Sequence, residues 1–111
     1  MNPLDDQLCV DSIKKVMTIF GGKWTFLIMG TLYNGTTHFN ELSRKLKIST
    51  KSLSDALKRL ETHDIITRKV QPTTPITVEY ALTEKGRDFQ TIFAEMKTWG
   101  QKWLSEKEGD N

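Results

Sequence analysis

Eight basic residues crowd into positions 44–69: Arg44, Lys45, Lys47, Lys51, Lys58, Arg59, Arg68 and Lys69. Only Asp55, Glu61 and Asp64 oppose them, so this stretch carries a local charge of +5 within a chain whose formal total is +2. Residues 1–43 sum to −1 and residues 70–111 to −2. Ammonium and guanidinium groups gathered in this way neutralise phosphates, which points to a polyanion and above all to duplex DNA. Three hydroxyl residues, Thr50, Ser52 and Ser54, lie among them and can bond to base edges or phosphates.

Other chemistries lack their residues. His38 and His63 have no Cys, Asp or Glu at a metal-ligand spacing, and the single cysteine, Cys9, can neither close an intrachain disulfide nor build a thiolate-rich zinc site. No Ser–His–Asp or Cys–His arrangement and no phosphate-binding glycine loop occurs, so we expect neither an enzyme, a metal nor a cofactor. The longest apolar run, Phe26 to Met29, is far below the ~20 residues that cross a bilayer. The first residues lack the basic start and apolar stretch of a signal peptide, and the expected location is cytoplasmic.

The elements that must position these residues follow from periodicity. Val10, Ile13, Val16, Met17 and Phe20 share one helical face that ends at Gly21-Gly22. Lys23 to Tyr33 is apolar on most sides and predicts a buried helix that stops at Asn34-Gly35. Phe39 to Ile48 repeats the helical pattern. After a short turn Ser49 can cap a helix from about Thr50 to about His63, with Leu53, Ala56, Leu57 and Leu60 on one side. Ile65–Gln71 and Ile76–Leu82, rich in β-branched residues and joined through Pro72 and Pro75, predict an antiparallel hairpin. Thr83 can cap a long helix from Glu84 to about Ser105, with Phe89, Ile92, Phe93, Met96, Trp99 and Trp103 in one stripe.

That order is a winged helix–turn–helix. The expected fold class is mainly α (α+β), one domain over 1–111, with the helix–turn–helix at about 39–63, the wing at about 65–82 and added N-terminal and C-terminal helices. Lys51, Ser54, Lys58 and Asp55 face outward on the second helix of the motif, where a DNA reader places its bases-contacting side chains. Asp55 is four residues from Lys51 and from Arg59, a spacing that orients those bases. Lys23 opens a helix after two glycines and either holds a phosphate at that helix terminus or is simply solvated. Arg68 and Lys69 point to opposite faces of the first wing strand, and Thr73 and Thr74 occupy the wing tip. The terminal helix is longer than the small core can cover, so Phe93, Met96, Trp99 and Trp103, with Val10, Ile13 and Met17 of the first helix, are expected to form an interface with a second copy. The alternative is a winged-helix module whose basic helix meets an acidic protein surface.

Gly21-Gly22-Lys23-Trp24-Thr25, Phe39-Asn40-Glu41-Leu42, Leu53 to Leu60, Arg68-Lys69-Val70, Pro72, Pro75, Val78-Glu79-Tyr80-Ala81-Leu82-Thr83, Gly86 and Trp99-Gly100 together resemble the HxlR-type family of bacterial winged-helix regulators, relatives of the MarR type. The resemblance runs from about Cys9 to about Gly100. It implies a homodimer that binds palindromic operator DNA. It also implies a role for Cys9, since some relatives sense oxidants or electrophiles with a cysteine there; Lys14 and Lys15 supply positive charge nearby, while the edge of an apolar stripe also suits an inert cysteine. Two departures stand out. His38 occupies a position where the family often has Arg, and Ile76 and Thr77 replace a proline and a basic residue on the far side of the wing.

Overall fold

A computed structural model describes residues 7–104. Ser105, the expected end of the terminal helix, and both outer ends of the expected domain lie outside the described residues. The elements in chain order are α1 (Gln7–Ile19), α2 (Lys23–Leu32), β1 (Thr37–His38), α3 (Phe39–Leu46), α4 (Thr50–Thr62), β2 (Ile66–Gln71), β3 (Thr77–Leu82), α5 (Glu84–Asp88) and α6 (Gln90–Leu104). The three strands form an antiparallel sheet in the order β1-β3-β2, with Thr37 opposite Tyr80, His38 opposite Glu79, and Gln71 opposite Thr77. This is a winged helix–turn–helix, and the fold class is the expected one.

The core forms where the apolar stripes meet. Ile28 and Met29 of α2, Leu42 of α3, Leu53 and Leu60 of α4, and Ile66 of β2 are all at 1% exposure or less. Burying each such side chain contributes about 1.5–3 kcal/mol. Between α3 and α4, Lys47 takes a left-handed conformation and turns Ile48 inward, and the Ser43 hydroxyl donates to the Ile48 carbonyl at 3.2 Å. That turn holds the two helices of the motif at a fixed angle.

Two features depart from the expected elements. β1 was not legible, because two residues are too few for alternation to register. The continuous helix over 84–105 is divided: α5 ends at Asp88, and the Phe89 N–H bonds to the Gly86 carbonyl at 3.2 Å, a tighter turn than the α-helix makes. Tertiary packing imposes the break. The Phe89 ring stacks on Phe20 at 4.5 Å between centroids, Phe20 stacks on Phe26 at 5.2 Å, and the Tyr33 hydroxyl donates to the Gly86 carbonyl at 3.1 Å. Burial holds the Tyr33 phenol above its ordinary pKa range. α5 is thus fastened to the domain while α6 leaves it.

Neither α1 nor α6 buries a single residue. The radius of gyration, 16.4 Å, exceeds the roughly 13 Å of a compact domain of this size, as two projecting arms require.

Gly86 is the tightest point of the α5 anchor, since a Cβ there would lie 2.3 Å from the Ile65 carbonyl oxygen and 3.0 Å from Leu82. Gly86→Ala should therefore lower stability by about 1–3 kcal/mol. Urea unfolding at one fixed protein concentration checks this, and an unchanged midpoint would contradict the close docking of α5.

Candidate nucleic-acid interface

α4 presents its polar side because its apolar side is consumed by the core. Leu53, Leu57 and Leu60 are buried, and at 100° per residue Lys51, Asp55, Lys58 and Thr62 point the opposite way. Its first turn is secured by Ser49, whose hydroxyl accepts the Ser52 N–H at 3.2 Å. Thr50 and Lys51, immediately after the cap, are exposed.

A recess opens on each flank of the helix. One side is shared with the start of α2 and is lined by Gly22, Lys23, Trp24, Ser52, Asp55 and Arg59. Gly22 is the N-cap of α2 and offers no side-chain cap, so the first amides of α2 have no side-chain acceptor at that end. The Lys23 ammonium lies over the Trp24 ring, 4.9 Å from its centroid. The other recess lies between α4 and the wing, where Ser54, Lys58 and Glu61 meet Arg68 and Tyr80. Ser52 and Arg59 consequently sit on the α2 flank, Ser54 and Lys58 on the wing flank, and Lys51 near the crest.

The sheet register separates the two wing cations. Arg68, opposite Tyr80, turns towards α4. Lys69 stands opposite Glu79 on the other face, so the two strands set an opposite-charge pair side by side there. At the tip, the Thr73 hydroxyl donates to the Pro75 carbonyl at 2.8 Å, which leaves it only lone pairs to offer an external group, whereas Thr74 is exposed. Among the described residues the one ion pair is Lys51 to Asp55, at 3.2 Å on an open surface. Such a pair is worth less than about 1 kcal/mol and gives way readily to a phosphate. No cluster of three metal-ligating side chains occurs among the described residues.

The residues expected at a subunit interface divide in two. Ile13, Met17, Met96, Trp99 and Trp103 are exposed, Trp99 at 59% and Trp103 at 64%, and Leu8, Ile92 and Leu104 extend the apolar surface. Phe93 is half-buried and packs within its own chain: its ring lies 5.2 Å from that of Tyr33 and would be 2.8 Å from a Cβ on Gly30. Val10 and Cys9 are half-buried on α1. No spacing in the sequence links His38 to Gln71, yet the two side chains bond to each other across 33 positions. No short-range pattern carries such a signal.

The HxlR-like helix-turn-helix family model matches residues 19–108. An uncharacterized HTH-type transcriptional regulator of Methanothermobacter thermautotrophicus is 37% identical over 105 residues, covering 94% of this chain and 79% of the relative. HTH-type transcriptional regulator YodB of Bacillus subtilis is 37% identical over 92 residues, 82% of each chain. The reduced form of YodB superposes with a TM-score of 0.74 at 36% identity over 85% of this chain and 93% of that one, and its quinone-bound form with 0.72 at 33% over 83% and 97%. The redox regulator HypR in its reduced form gives 0.79 at 33% over 85% and 94%.

The N-cap of α4 has a measurable weight. Ser49→Ala should cost about 1 kcal/mol and Ser49→Asp almost nothing, because aspartate can accept the same N–H. Equal denaturation midpoints for wild type and Ser49→Ala would remove the cap from this account.

Proposed function

The chain belongs to the HxlR-like helix-turn-helix family, and from that premise we propose that it is a sequence-specific transcriptional regulator that binds operator DNA as a homodimer. The observation that carries this reading is the outward face of α4, cationic and flanked by a recess on each side. In this reading α4 enters the major groove, with Thr50, Lys51 and Ser54 towards base edges. Lys58 and Arg68 hold one phosphate strand from the wing flank, while Lys23, Ser52 and Arg59 hold the other from the α2 flank. Lys69 and Thr74 follow the phosphate backbone along the wing, and Thr73 bonds a phosphate only by giving up its hydrogen bond to the Pro75 carbonyl.

The dimer joins the exposed stripes of α1 and α6 from two copies about a two-fold axis. It thereby places two α4 helices for half-sites about one helical turn apart, or a multiple of that, on palindromic DNA. A regulator of this kind works where the chromosome is, in the cytoplasm; among the described residues no helix is long and apolar enough to cross a membrane.

Duplex fragments selected from genomic DNA by the wild-type protein test the reading. The double variant Lys51→Ala with Lys58→Ala should lose about tenfold or more in affinity, and the slope of log affinity against log salt should flatten by about one to two. Unchanged affinity and slope would sink the assignment of α4.

Cys9 supplies the signal in this proposal. Its half-buried thiol lies on α1, at the edge of the stripe assigned to the dimer, and the similar protein YodB is known in a quinone-bound form. A cysteine thiolate adds to an electrophilic quinone carbon, the ring taking up the electron pair and then a proton to become the hydroquinone adduct. Bulk introduced on α1 then alters how the subunits meet. Quinone treatment should weaken operator binding at least several-fold in wild type and leave Cys9→Ser unaffected; the same response in both proteins would dismiss Cys9.

A further inference from the structure

His38, Thr77 and Gln71 belong to three different strands and meet over one face of the sheet. Gln71 is the last residue of β2, Thr77 the first of β3, and the two are cross-strand partners at the end of the ladder where the wing leaves the domain. His38 is the last residue of β1 and the N-cap position of α3. The Thr77 hydroxyl donates to Gln71 Oε1 at 3.1 Å, and His38 Nε2 lies 3.3 Å from the same oxygen. With the amide oxygen of Gln71 at this position, the imidazole Nε2–H is the group that can donate to it. Both edge strands are therefore tied together over the back of the central one.

Backbone pairing alone does not do this. β1 bonds to β3 only at Tyr80 and Glu79, and the last ladder pair, Gln71 with Thr77, lies two residues further out. Beyond that point the hairpin would be a two-stranded ribbon, which is marginally stable by itself and twists freely. The imidazole of His38 also makes no cap bond to α3, so its side chain is committed to the wing. The other charged groups on this face, Lys69 and Glu79, form no ion pair within 4 Å among the described residues.

We infer that His38, Gln71 and Thr77 form a latch that sets the angle of the wing against the α3–α4 unit, and so act as positioning residues for DNA recognition without touching DNA. The inference rests on the reading of the chain as a DNA-binding regulator. It assigns a purpose to the histidine that stands at the entry to the helix–turn–helix. In free protein the latch reduces the number of wing orientations, and in the complex it fixes the distance between the groups on α4 and those on the wing tip. The energy of partly exposed side-chain hydrogen bonds limits its effect to about three- to tenfold in affinity.

The test is a double-mutant cycle on a duplex selected by the wild-type protein. His38→Phe and Gln71→Leu should each weaken binding about three- to tenfold, and the double variant should be no weaker than the worse single, because both break the same link. Thr77→Ser, which keeps the hydroxyl, should bind like wild type. In each weakened variant hydroxyl-radical protection should fade at the positions flanking the site and persist at its centre, and amide exchange in free protein should speed up at the ladder-bonded amides of the two outermost pairs, Gln71 with Thr77 and Val70 with Val78, but not in α4. Additive losses, or an even loss of protection across the whole site, would overturn the latch while leaving the DNA-binding reading intact. Failure of the wild-type protein to select any duplex would overturn that reading instead, and the amide-exchange pattern would still decide whether the latch exists.

Discussion

Burial of one leucine stripe organises this molecule. Leu53, Leu57 and Leu60 fill the space against α2 and the sheet, and once they are inside, the rotation of α4 about its own axis is determined. Turning the helix by a quarter would expose two or three leucines at about 1.5–3 kcal/mol each, which is comparable to the whole stability of a small domain. The polar side chains of α4 therefore have no freedom to face elsewhere. The placement of its lysines is a by-product of hydrophobic burial rather than of any attraction among the charges themselves.

The same logic separates what was readable along the chain from what was not. Ser49 and Thr83 could be read as helix caps because capping is local: each accepts an N–H three residues ahead. The wing could be read because Val78-Glu79-Tyr80-Ala81-Leu82 alternates between faces. The break at Phe89 could not, since helical periodicity runs unbroken from Glu84 onward and the cause lies in Phe20, Tyr33 and Ile65, all distant in sequence. Phe93 shows the same limit. Spacing puts it in the stripe with Met96, Trp99 and Trp103, but only the fold brings Gly30 and Tyr33 beneath its ring. The site divided along similar lines, with the run of bases evident from composition and the two flanking recesses dependent on which element packs beside α4.

The arms and the body are coupled through a small aromatic cluster. Phe20 follows α1, Phe26 lies in α2 and Phe89 joins α5 to α6, and their rings lie within 4.5 to 6.1 Å of one another. Both arms consequently leave the body at nearly the same point. Just beyond Phe20 the chain passes through Gly21, whose missing Cβ allows the backbone to approach the Met17 carbonyl and brings it close to the Arg59 guanidinium. The end of α1 and the flank of α4 are thus direct neighbours, with Phe20 of the core beside them.

Asp55 has a further bearing on how such a protein would travel. It sits in the middle of an otherwise cationic face, paired with Lys51. When the helix rests on an arbitrary stretch of duplex, that carboxylate is pressed towards phosphates and groove acceptors, and the repulsion shortens each stop. If α4 is the reading face, as proposed, an acid there would shorten residence on wrong sequence, which is the time lost in a one-dimensional search. The carboxylate also takes from Lys51 part of its attraction to any phosphate, so charge alone would hold the helix less firmly than its count of cations suggests.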